Sequence, residues 1–304
     1  MAPAARAPAA RASGPLARCL QSVAPMERVS LTGPHEERAR LEWLGGPTVI
    51  LQHGGVRILT DPMLGPRGPD AFVLPKHPST GAENAHIARY TATPHPSLAG
   101  LDAVIVSHPH ADHVDATAKA TLAKGLPVVI PPTGAEGMRA TGFTDVRPLD
   151  WGESTTIEAN GTALRITAVA AHHAHDPTLD RTLGKGNGYV LSFEGLGGAY
   201  RVYWTGDAVL SDELKLVAPA HGPIDLMLAD LGGVGGDGTL GLRSMTAEEA
   251  VALTRLVNPR LVVPVHHTSF SHYREPIEAL VQRAEEAGMA SRFRFPVEGV
   301  AMFL

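Results

Sequence analysis

The sequence predicts an α/β fold in which two mixed sheets pack face to face, with helices on the outside. Two series of short apolar strands carry this prediction, one within residues 41–130 and one within 163–265, and each series has helices of its own. Short apolar runs bounded by turn residues are typical of buried strands. Since no Pro/Gly-rich linker divides the two series, we interpret residues 27–304 as one domain with four layers, αβ/βα.

Turn residues separate the predicted strands of both series. The first has predicted strands at Leu41–Leu44, Thr48–Gln52, Val56–Thr60, Asp102–Ser107 and Pro127–Ile130; the second has them at Ala163–Val169, Gly188–Phe193, Arg201–Trp204, Ile224–Leu228 and Leu261–Val265. Helices are predicted at Ala116–Lys124, after a capping box formed by Thr246 and Glu249, and at Pro276–Ala287. The stretch 62–100 is rich in Pro and Gly, has weak periodicity and is predicted to be a long loop.

Composition narrows the class of protein. The chain has 304 residues, of which 44% are hydrophobic, and its formal charge of −5 argues against nucleic acid or an anionic membrane as a partner. No apolar run approaches the roughly 20 residues that span a bilayer. The single cysteine, Cys19, excludes an intrachain disulfide and a thiolate-rich metal site, and it fits a cytoplasmic location.

Residues 1–26 differ from the rest of the chain. They contain nine Ala, four Pro and three Arg but no acidic residue, and they lack the continuous apolar stretch of a secretory signal. Such a segment has little to bury, so we expect a flexible tail. The alternative is that translation starts at Met26, which immediately precedes ordinary sequence.

Histidines crowd into three short segments, 108–113, 172–175 and 266–267, which hold eight of the fifteen in the chain. The first segment holds His108, His110, Asp112 and His113 directly after an apolar strand. Four potential ligands within six positions cannot all be buried without a large desolvation cost. A divalent metal ion resolves this conflict, because imidazole and carboxylate suit zinc and related ions. A polar loop in which Asp112 only caps the next helix is the alternative, and it explains the spacing less well.

One loop cannot complete two coordination shells, so further ligands must come from elsewhere. Three later segments lie at the carboxyl ends of predicted strands and carry suitable side chains: Ala171–His175, Tyr203–Asp207 and Pro264–His267. Folds built of α/β layers usually collect active-site groups at the carboxyl ends of strands. Each later residue alone could be an ordinary turn or core residue, but together with 108–113 they predict one shared metal site.

Five motifs, in order along the chain, resemble the metallo-β-lactamase fold superfamily. Among its members, the lactonases and the N-acyl-phosphatidylethanolamine phospholipase D-like proteins are the most similar. The motifs are Leu59-Thr60-Asp61-Pro62, the His-x-His-x-Asp-His of 108–113, Ala170-Ala171-His172-His173, Thr205-Gly206-Asp207 and Pro264-Val265-His266. The third is imperfect, because the family has Pro where this chain has Ala170. The resemblance covers residues 38–304 and implies an αβ/βα sandwich and a metal-dependent hydrolase.

Carried over residue by residue, the resemblance implies two metal ions. One would be held by His108, His110 and His173, the other by Asp112, His113 and His266, with Asp207 bridging. Asp61 would be the outer carboxylate that orients a ligand imidazole. Two registers stay open, since His172 could replace His173 and His267 could replace His266.

The chemistry implied is hydrolysis of an ester-like bond, of a lactone or a phosphodiester, in a small molecule. Two divalent ions, with zinc expected and manganese or iron as alternatives, would lie about 3.5–4 Å apart and lower the pKa of a bridging water toward roughly 7. Asp112 would orient the resulting hydroxide, and His272, or Tyr273 beside it, would donate a proton to the leaving group. A loop histidine bonded to the backbone is the alternative for His272.

The sequence gives weaker evidence for residues that contact the substrate than for the metal ligands. Lys185, Arg243 and the pair Lys76-His77 could bind an anionic part of the substrate, although cations near clefts are commonly solvated. The glycine-rich stretch Gly232–Gly238 lacks the Lys-Ser/Thr of a P-loop and is predicted to be a flexible active-site loop.

Three rival functions share part of this pattern. A nuclease of the same superfamily would carry the same motif, but the acidic balance and the absence of a basic stripe count against it. A mononuclear iron oxidoreductase (a dioxygenase) is the alternative on this fold; the di-iron members resemble His-x-Glu-x-Asp, whereas position 110 is His. A catalytically silent binding protein would need a blocked pocket. A homo-oligomer is compatible with the sequence.

Overall fold

Fifteen strands and six helices appear in the residues that the computed structural model describes, 38–74, 85–94, 96–195, 198–236 and 241–304. The first eight strands are β1 (Arg40–Gly45), β2 (Thr48–His53), β3 (Val56–Thr60), β4 (Gly68–Leu74), β5 (Ala85–Arg89), β6 (Ala103–Ile105), β7 (Val128–Ile130) and β8 (Val146–Pro148). The others are β9 (Ser154–Ala159), β10 (Thr162–Ala171), β11 (Gly186–Gly195), β12 (Gly198–Trp204), β13 (Leu226–Asp230), β14 (Leu261–Val265) and β15 (Ala301–Phe303). The helices are α1 (Ala116–Thr121), α2 (Pro132–Ala140), α3 (Pro177–Leu183), α4 (Val217–His221), α5 (Ala247–Val257) and α6 (Ile277–Glu286).

The strands form two large mixed sheets and one hairpin. The first sheet has the order β15-β1-β2-β3-β6-β7-β8, and the second has the order β14-β13-β12-β11-β10-β9; β4 and β5 pair with each other. Pairing is parallel from β3 through β6 to β8 and from β12 through β13 to β14. Parallel strands end at the same edge of a sheet, so the segments after β3 and β6 are neighbours, as are those after β12, β13 and β14.

The core lies between the two sheets and on both of their outer faces. Leu51 and Ile105 of the first sheet pack with Leu191 and Trp204 of the second in one buried cluster. A second cluster joins the outer face of the first sheet to α1 and α2, and a third joins the outer face of the second sheet to α5 and α6. These four layers confirm the predicted αβ/βα sandwich.

Most of the predicted strands are present, with ends that differ by a few residues. Val56–Thr60 and Leu261–Val265 match their predicted bounds, and the helix predicted to run to Lys124 ends at Thr121. The prediction that 62–100 is one long loop is wrong, because β4 and β5 form a hairpin within it. Phe72 and Ile87 pair across this hairpin and bury their side chains against Phe270, a contact from a distant segment that local periodicity does not reveal.

Some predictions lie outside the described residues. These are the tail at 1–26 with Cys19, the pair Lys76-His77 and the end of the glycine-rich stretch at 237–238, so the assignment of 27–304 as one domain stays a prediction. Within the described ranges, no helix has both the length and the apolar character needed to cross a bilayer.

The capping box at the start of α5 gives a stability prediction. The Thr246 hydroxyl accepts from the Glu249 N–H, and the Glu249 carboxylate accepts from the Thr246 N–H. Thr246→Ala should lower the free energy of unfolding by about 1 kcal/mol in urea titrations, because a helix N–H loses its acceptor. Thr121→Ala, whose hydroxyl donates only within α1, is the control and should change it by less than about 0.5 kcal/mol. Equal losses in the two variants would contradict this account.

Candidate metal centre

The predicted ligands converge at the edge where the two sheets end their parallel strands. The 108–113 segment follows β6, His173 follows β10, Asp207 follows β12 and His266 follows β14. Gly206 makes one close approach: a Cβ there would lie 2.5 Å from Asn187 O and 3.0 Å from the Ser107 Cβ. Glycine therefore lets the turn before Asp207 pack directly against the segment that carries His108.

Three histidines form the first group. The ligand-type atoms of His108, His110 and His173 all lie within 4.8 Å of one another. His110 Nε2 lies 2.8 Å from Leu183 O, and His173 Nδ1 lies 2.7 Å from Arg243 O. Because a carbonyl oxygen only accepts, each of these nitrogens carries the ring proton. The other nitrogens, His110 Nδ1 and His173 Nε2, face each other 3.1 Å apart. In neutral rings both present lone pairs, an arrangement that a nearby cation stabilises.

Two carboxylates and two histidines form the second group. One oxygen or nitrogen from each of Asp112, His113, Asp207 and His266 lies within 4.8 Å of the others. His266 Nδ1 lies 2.8 Å from Leu231 O, which leaves Nε2 for the site. Asp207 lies between the two groups, 3.6 Å from His113 Nε2 and 3.7 Å from His173 Nδ1. The His108 and His113 rings, 4.0 Å apart at their centroids, make the two groups adjacent.

Asp61 orients His113 of the second group by contacting Nδ1, the ring nitrogen that faces away from the site. One of its oxygens accepts from the Ser107 N–H at 2.7 Å; the other lies 2.6 Å from both Ser107 Oγ and His113 Nδ1. Ser107 Oγ also lies 2.9 Å from His108 Nδ1. With Nδ1 of both His108 and His113 engaged in this network, each ring presents Nε2 to the site. This arrangement is the one expected of an outer-shell carboxylate.

Buried polar atoms show that the site fits a cation. His108 Nε2, His113 Nε2, His266 Nε2 and Asp207 Oδ1 are buried and have no hydrogen-bond partner among the described residues. Leaving such atoms unpaired costs about 1–3 kcal/mol each, so a native fold that buries four of them in two adjacent groups needs ligands there. Imidazole nitrogens and carboxylate oxygens in this number suit zinc and related divalent ions.

Electrostatics puts most of the donor set in the protonation states that bind metal. Burial, reinforced by the charge of His113, holds the pKa of His108 well below its ordinary value, and burial lowers the pKa of His110 and of His266 to about 4. Burial alone would raise the pKa of Asp112 and of Asp207, but the neighbouring histidines outweigh it and lower both. Neutral imidazoles and ionised carboxylates are therefore favoured at neutral pH.

The structure distinguishes the two histidines at each of the open positions, 172 or 173 and 266 or 267. His172 lies outside both groups, with Nδ1 2.8 Å from an Asp180 oxygen and its ring against Trp151 at 5.0 Å. His267 is also outside; its Nδ1 lies 2.7 Å from Thr268 Oγ1, and its ring packs on Trp43 at 4.7 Å. Of each pair of neighbours, His173 and His266 are the ones in the cluster.

His272 lies beside the second group. Its Nε2 is 3.3 Å from an Asp112 oxygen, and the side chain is 2% exposed. The ring packs against Tyr273 at 4.4 Å and against Phe72 of β4 at 5.3 Å. Burial, with the charges of Asp112 and Asp207, raises the pKa of Tyr273 well above its ordinary value. The Tyr273 hydroxyl thus keeps its proton at any physiological pH.

The two described candidates for substrate contact have other partners. Lys185 forms an ion pair with Asp150, and its ammonium lies 4.1 Å from the centre of the Trp151 ring. The main-chain carbonyl of Arg243 accepts a hydrogen bond from His173 Nδ1, a contact that the sequence does not indicate.

Sequence reasoning missed two buried polar residues, Ser107 and Asp230. Asp230, at the end of β13, can join Asp61 and His113 in a third group of ligand-type atoms, and it accepts from Trp204 Nε1 at 3.0 Å. Burial and the charge of Asp61 raise the pKa of Asp230 well above its ordinary value. A polar residue at or near the end of an apolar strand was the available signal for both.

A family model described as a beta-lactamase superfamily domain matches residues 56–267 of the chain. This range begins with β3 and includes Asp61, the 108–113 segment, His173, Asp207 and His266. The chain belongs to the metallo-β-lactamase superfamily. The resemblance seen in the five sequence motifs is thereby confirmed.

Relatives of this superfamily member agree with the assignment. N-acyl-phosphatidylethanolamine-hydrolyzing phospholipase D 1 of Caenorhabditis elegans is 28% identical over 86% of this chain and 75% of its own length. A UPF0173 metal-dependent hydrolase of Methanopyrus kandleri is 27% identical over 82% of this chain and 93% of its own length. The match to an uncharacterized Mycobacterium bovis protein spans 64% of that protein.

A solved structure shares the fold. The crystal structure of a possible metal-dependent hydrolase from Veillonella parvula has a TM-score of 0.71 at 21% identity, over 88% of this chain and 100% of that one. At the level of the superfamily the predicted enzyme class is confirmed: the chain is a metal-dependent hydrolase of the metallo-β-lactamase superfamily.

Metal binding by this superfamily member should release a proton. Burial lowers the pKa of His113, but the charges of Asp61 and Asp112 outweigh it and raise that pKa well above 6.5. His113 is then protonated at pH 7 in the metal-free protein and must lose its proton to bind zinc, so zinc affinity should rise with pH through neutrality. Calorimetric zinc titrations at pH 7 in buffers of different ionisation enthalpy should show about one proton released from His113 per protein chain that binds zinc.

Asp61→Asn is the matched variant for this measurement. The change removes the larger of the two charges that raise the His113 pKa, so the variant should release fewer protons at pH 7 while binding zinc more weakly. The same proton release in both proteins would rule out His113 as the source.

Proposed function

We propose that this protein is a binuclear metal-dependent hydrolase that cleaves an ester-like bond, of a lactone or a phosphodiester, in a small molecule. One observation carries the proposal: two adjacent groups of buried ligand-type atoms, with Asp207 between them. The first group, His108, His110 and His173, would hold one divalent ion. The second, Asp112, His113 and His266, would hold the other, with Asp207 shared.

Zinc is the ion we propose, with manganese or iron as alternatives, because the donors are imidazole and carboxylate without thiolate. Divalent ions held by these residues would supply Lewis acidity and lower the pKa of bound water, which would make a nucleophile available at neutral pH. The protein contributes fixed tautomers and the exclusion of bulk solvent. Its ligand rings are held from behind by Asp61, Ser107 and three main-chain carbonyls.

Two side chains of the second group have further roles in the proposal. Asp112, whose pKa is held low by its histidine neighbours, stays ionised and can both ligate and orient the nucleophile. His272 would hold a proton at Nε2, 3.3 Å from the Asp112 carboxylate, and pass it to the leaving group.

The choice of substrate class draws on the chain's relatives. The Caenorhabditis elegans relative is named for hydrolysis of an N-acyl-phosphatidylethanolamine by a phospholipase D, which supports the phosphodiester arm of the proposal. Lys185 and Arg243 stay candidates for an anionic part of the substrate. A cytoplasmic location and a homo-oligomer remain predictions from the sequence.

A substrate panel with matched histidine variants tests the proposal. Zinc-loaded protein should hydrolyse members of a lactone panel or of a phosphodiester panel, and a thioester panel serves as comparison. His110→Ala, Asp112→Ala and His173→Ala should each lose more than about 100-fold in rate, because even outer-shell changes cost 10- to 100-fold. His172→Ala, one residue away but outside both groups, should keep most of the activity. Activity that survives both His110→Ala and Asp112→Ala would exclude this mechanism.

The role of His272 predicts a dependence on the leaving group. His272→Gln should slow hydrolysis of substrates with a poor leaving group by about 100-fold, because a general acid contributes at least that much. Substrates with a good leaving group, such as a nitrophenolate, need no proton and should slow far less. Metal content, measured by elemental analysis, should stay at the wild-type value. Equal slowing for both substrate types would assign His272 a structural role instead.

A further inference from the structure

Arg89, at the end of β5, is a fully buried guanidinium that the sequence patterns do not single out. Its side chain is 2% exposed. Nη1 donates to Met63 O at 2.8 Å and Nη2 donates to Leu44 O at 2.5 Å, so both of these hydrogen bonds go to main-chain carbonyls. The guanidinium carbon lies 5.3 Å from the centre of the Phe270 ring.

The three contacts reach two segments that carry site residues and a third that binds a site residue through its main chain. Met63 is two residues after Asp61, and the Thr48 hydroxyl binds both the Asp61 carbonyl and the Met63 N–H. Leu44 is two residues before Gly46, whose carbonyl accepts from the His266 N–H at 2.7 Å. Phe270 is two residues before His272. Two of the contacts therefore lie two positions from a site residue. The third lies two positions from Gly46, which binds the site residue His266.

The main chain around Arg89 supports the same three-way junction. Arg89 and Phe270 form an antiparallel bridge, with Tyr90 N–H donating to Ser269 O at 2.8 Å and Ser271 N–H donating to Ala88 O at 2.9 Å. The Ser269 hydroxyl accepts from the Gly46 N–H. The β4–β5 hairpin therefore reaches the His272 loop through hydrogen bonds, and Arg89 extends that link to the two other segments.

The fit around the guanidinium is close on the side of Gly45. A Cβ at that position would lie 2.8 Å from Arg89 Nη2 and 3.0 Å from Glu298 Oε1. Burying a guanidinium is costly, and burial indeed lowers the pKa of Arg89. A methionine or leucine would fill this space without that cost, so the charge and planar fork of Arg89 point to a geometric task.

We propose that Arg89 is a positioning residue whose guanidinium holds the segments of Asp61, His266 and His272 at a fixed spacing and thereby sets the geometry of the metal centre. This inference rests on the proposed function, since it assumes that the cluster binds metal. It adds a residue from the β4–β5 hairpin, outside the strand ends that carry the ligands. Arg89 touches none of the ligand atoms, so its effect must appear as altered metal affinity and coordination.

Zinc affinity and the absorption spectrum of the cobalt-substituted protein test this role. Metal-free wild type, Arg89→Met and Arg89→Lys would be titrated with zinc against a chromophoric chelator at 10 °C, after circular dichroism has shown each to be folded. Arg89→Met should bind zinc about tenfold more weakly, the low end for residues outside the first coordination shell, and should shift the cobalt d–d bands. Arg89→Lys keeps the charge but loses the fork, so it should lie between the other two.

The control separates positioning from stability. Leu253→Ala, in α5 and in the separate cluster on the outer face of the second sheet, should destabilise the fold yet leave zinc affinity and the cobalt spectrum unchanged. A folded Arg89→Met with wild-type affinity and spectrum would overturn the inference and leave the proposed function intact. If Arg89→Met does not fold, the same measurements on Arg89→Lys decide. Wild-type protein that binds none of zinc, manganese and iron would overturn the proposed function itself.

Discussion

The bonding of one buried carboxylate, Asp61, is the constraint on which the candidate site depends. It receives hydrogen bonds from the main chain and hydroxyl of Ser107 and contacts His113 at 2.6 Å, and its side chain is inaccessible to solvent. Burial raises the pKa of Asp61, whereas His113 and Ser107 oppose that rise. A buried charge is tolerated only while its oxygens are bonded. The segments after β3 and β6 therefore cannot move apart without leaving that charge unpaired.

Backbone strain is concentrated at the same edge of the molecule. Asp61, His266 and Thr268 all have positive φ angles, of 29°, 56° and 62°. Such conformations cost about 1 kcal/mol or more each and persist only where the surroundings fix them. The surroundings do so here: the Asp61 carbonyl binds the Thr48 hydroxyl, and the His266 N–H binds Gly46 O. Bonds between segments thus maintain backbone conformations that the local sequence disfavours, and those conformations aim the side chains inward.

The sequence predicted the parts of this arrangement that local pattern encodes. An apolar strand followed by His108, His110, Asp112 and His113 identifies a strand-end loop with more ligands than a core can hold. The same reasoning found the segments Ala171–His175, Tyr203–Asp207 and Pro264–His267 as parts of one site, and the resemblance to the superfamily pointed to His173, Asp207 and His266 within them. It could not choose between His172 and His173 from the residues alone, because neighbouring residues near a strand end point to opposite sides. Only the position at which β10 ends, Ala171, determines which ring turns toward the cluster.

The parts that the sequence could not predict depend on contacts between distant segments. Ser107 is an ordinary residue after a strand until Asp61, 46 positions earlier, is placed beside it. The β4–β5 hairpin lies in a stretch whose Pro and Gly content resembles a loop, and its pairing is stabilised by Phe270, nearly 200 residues away from Phe72. The role of Arg89 can be recognised only in the folded chain, where the guanidinium contacts Leu44, Met63 and Phe270. The ligands of a metal centre can therefore be recognised from spacing, whereas the groups that hold those ligands in place become visible only when the chain is folded.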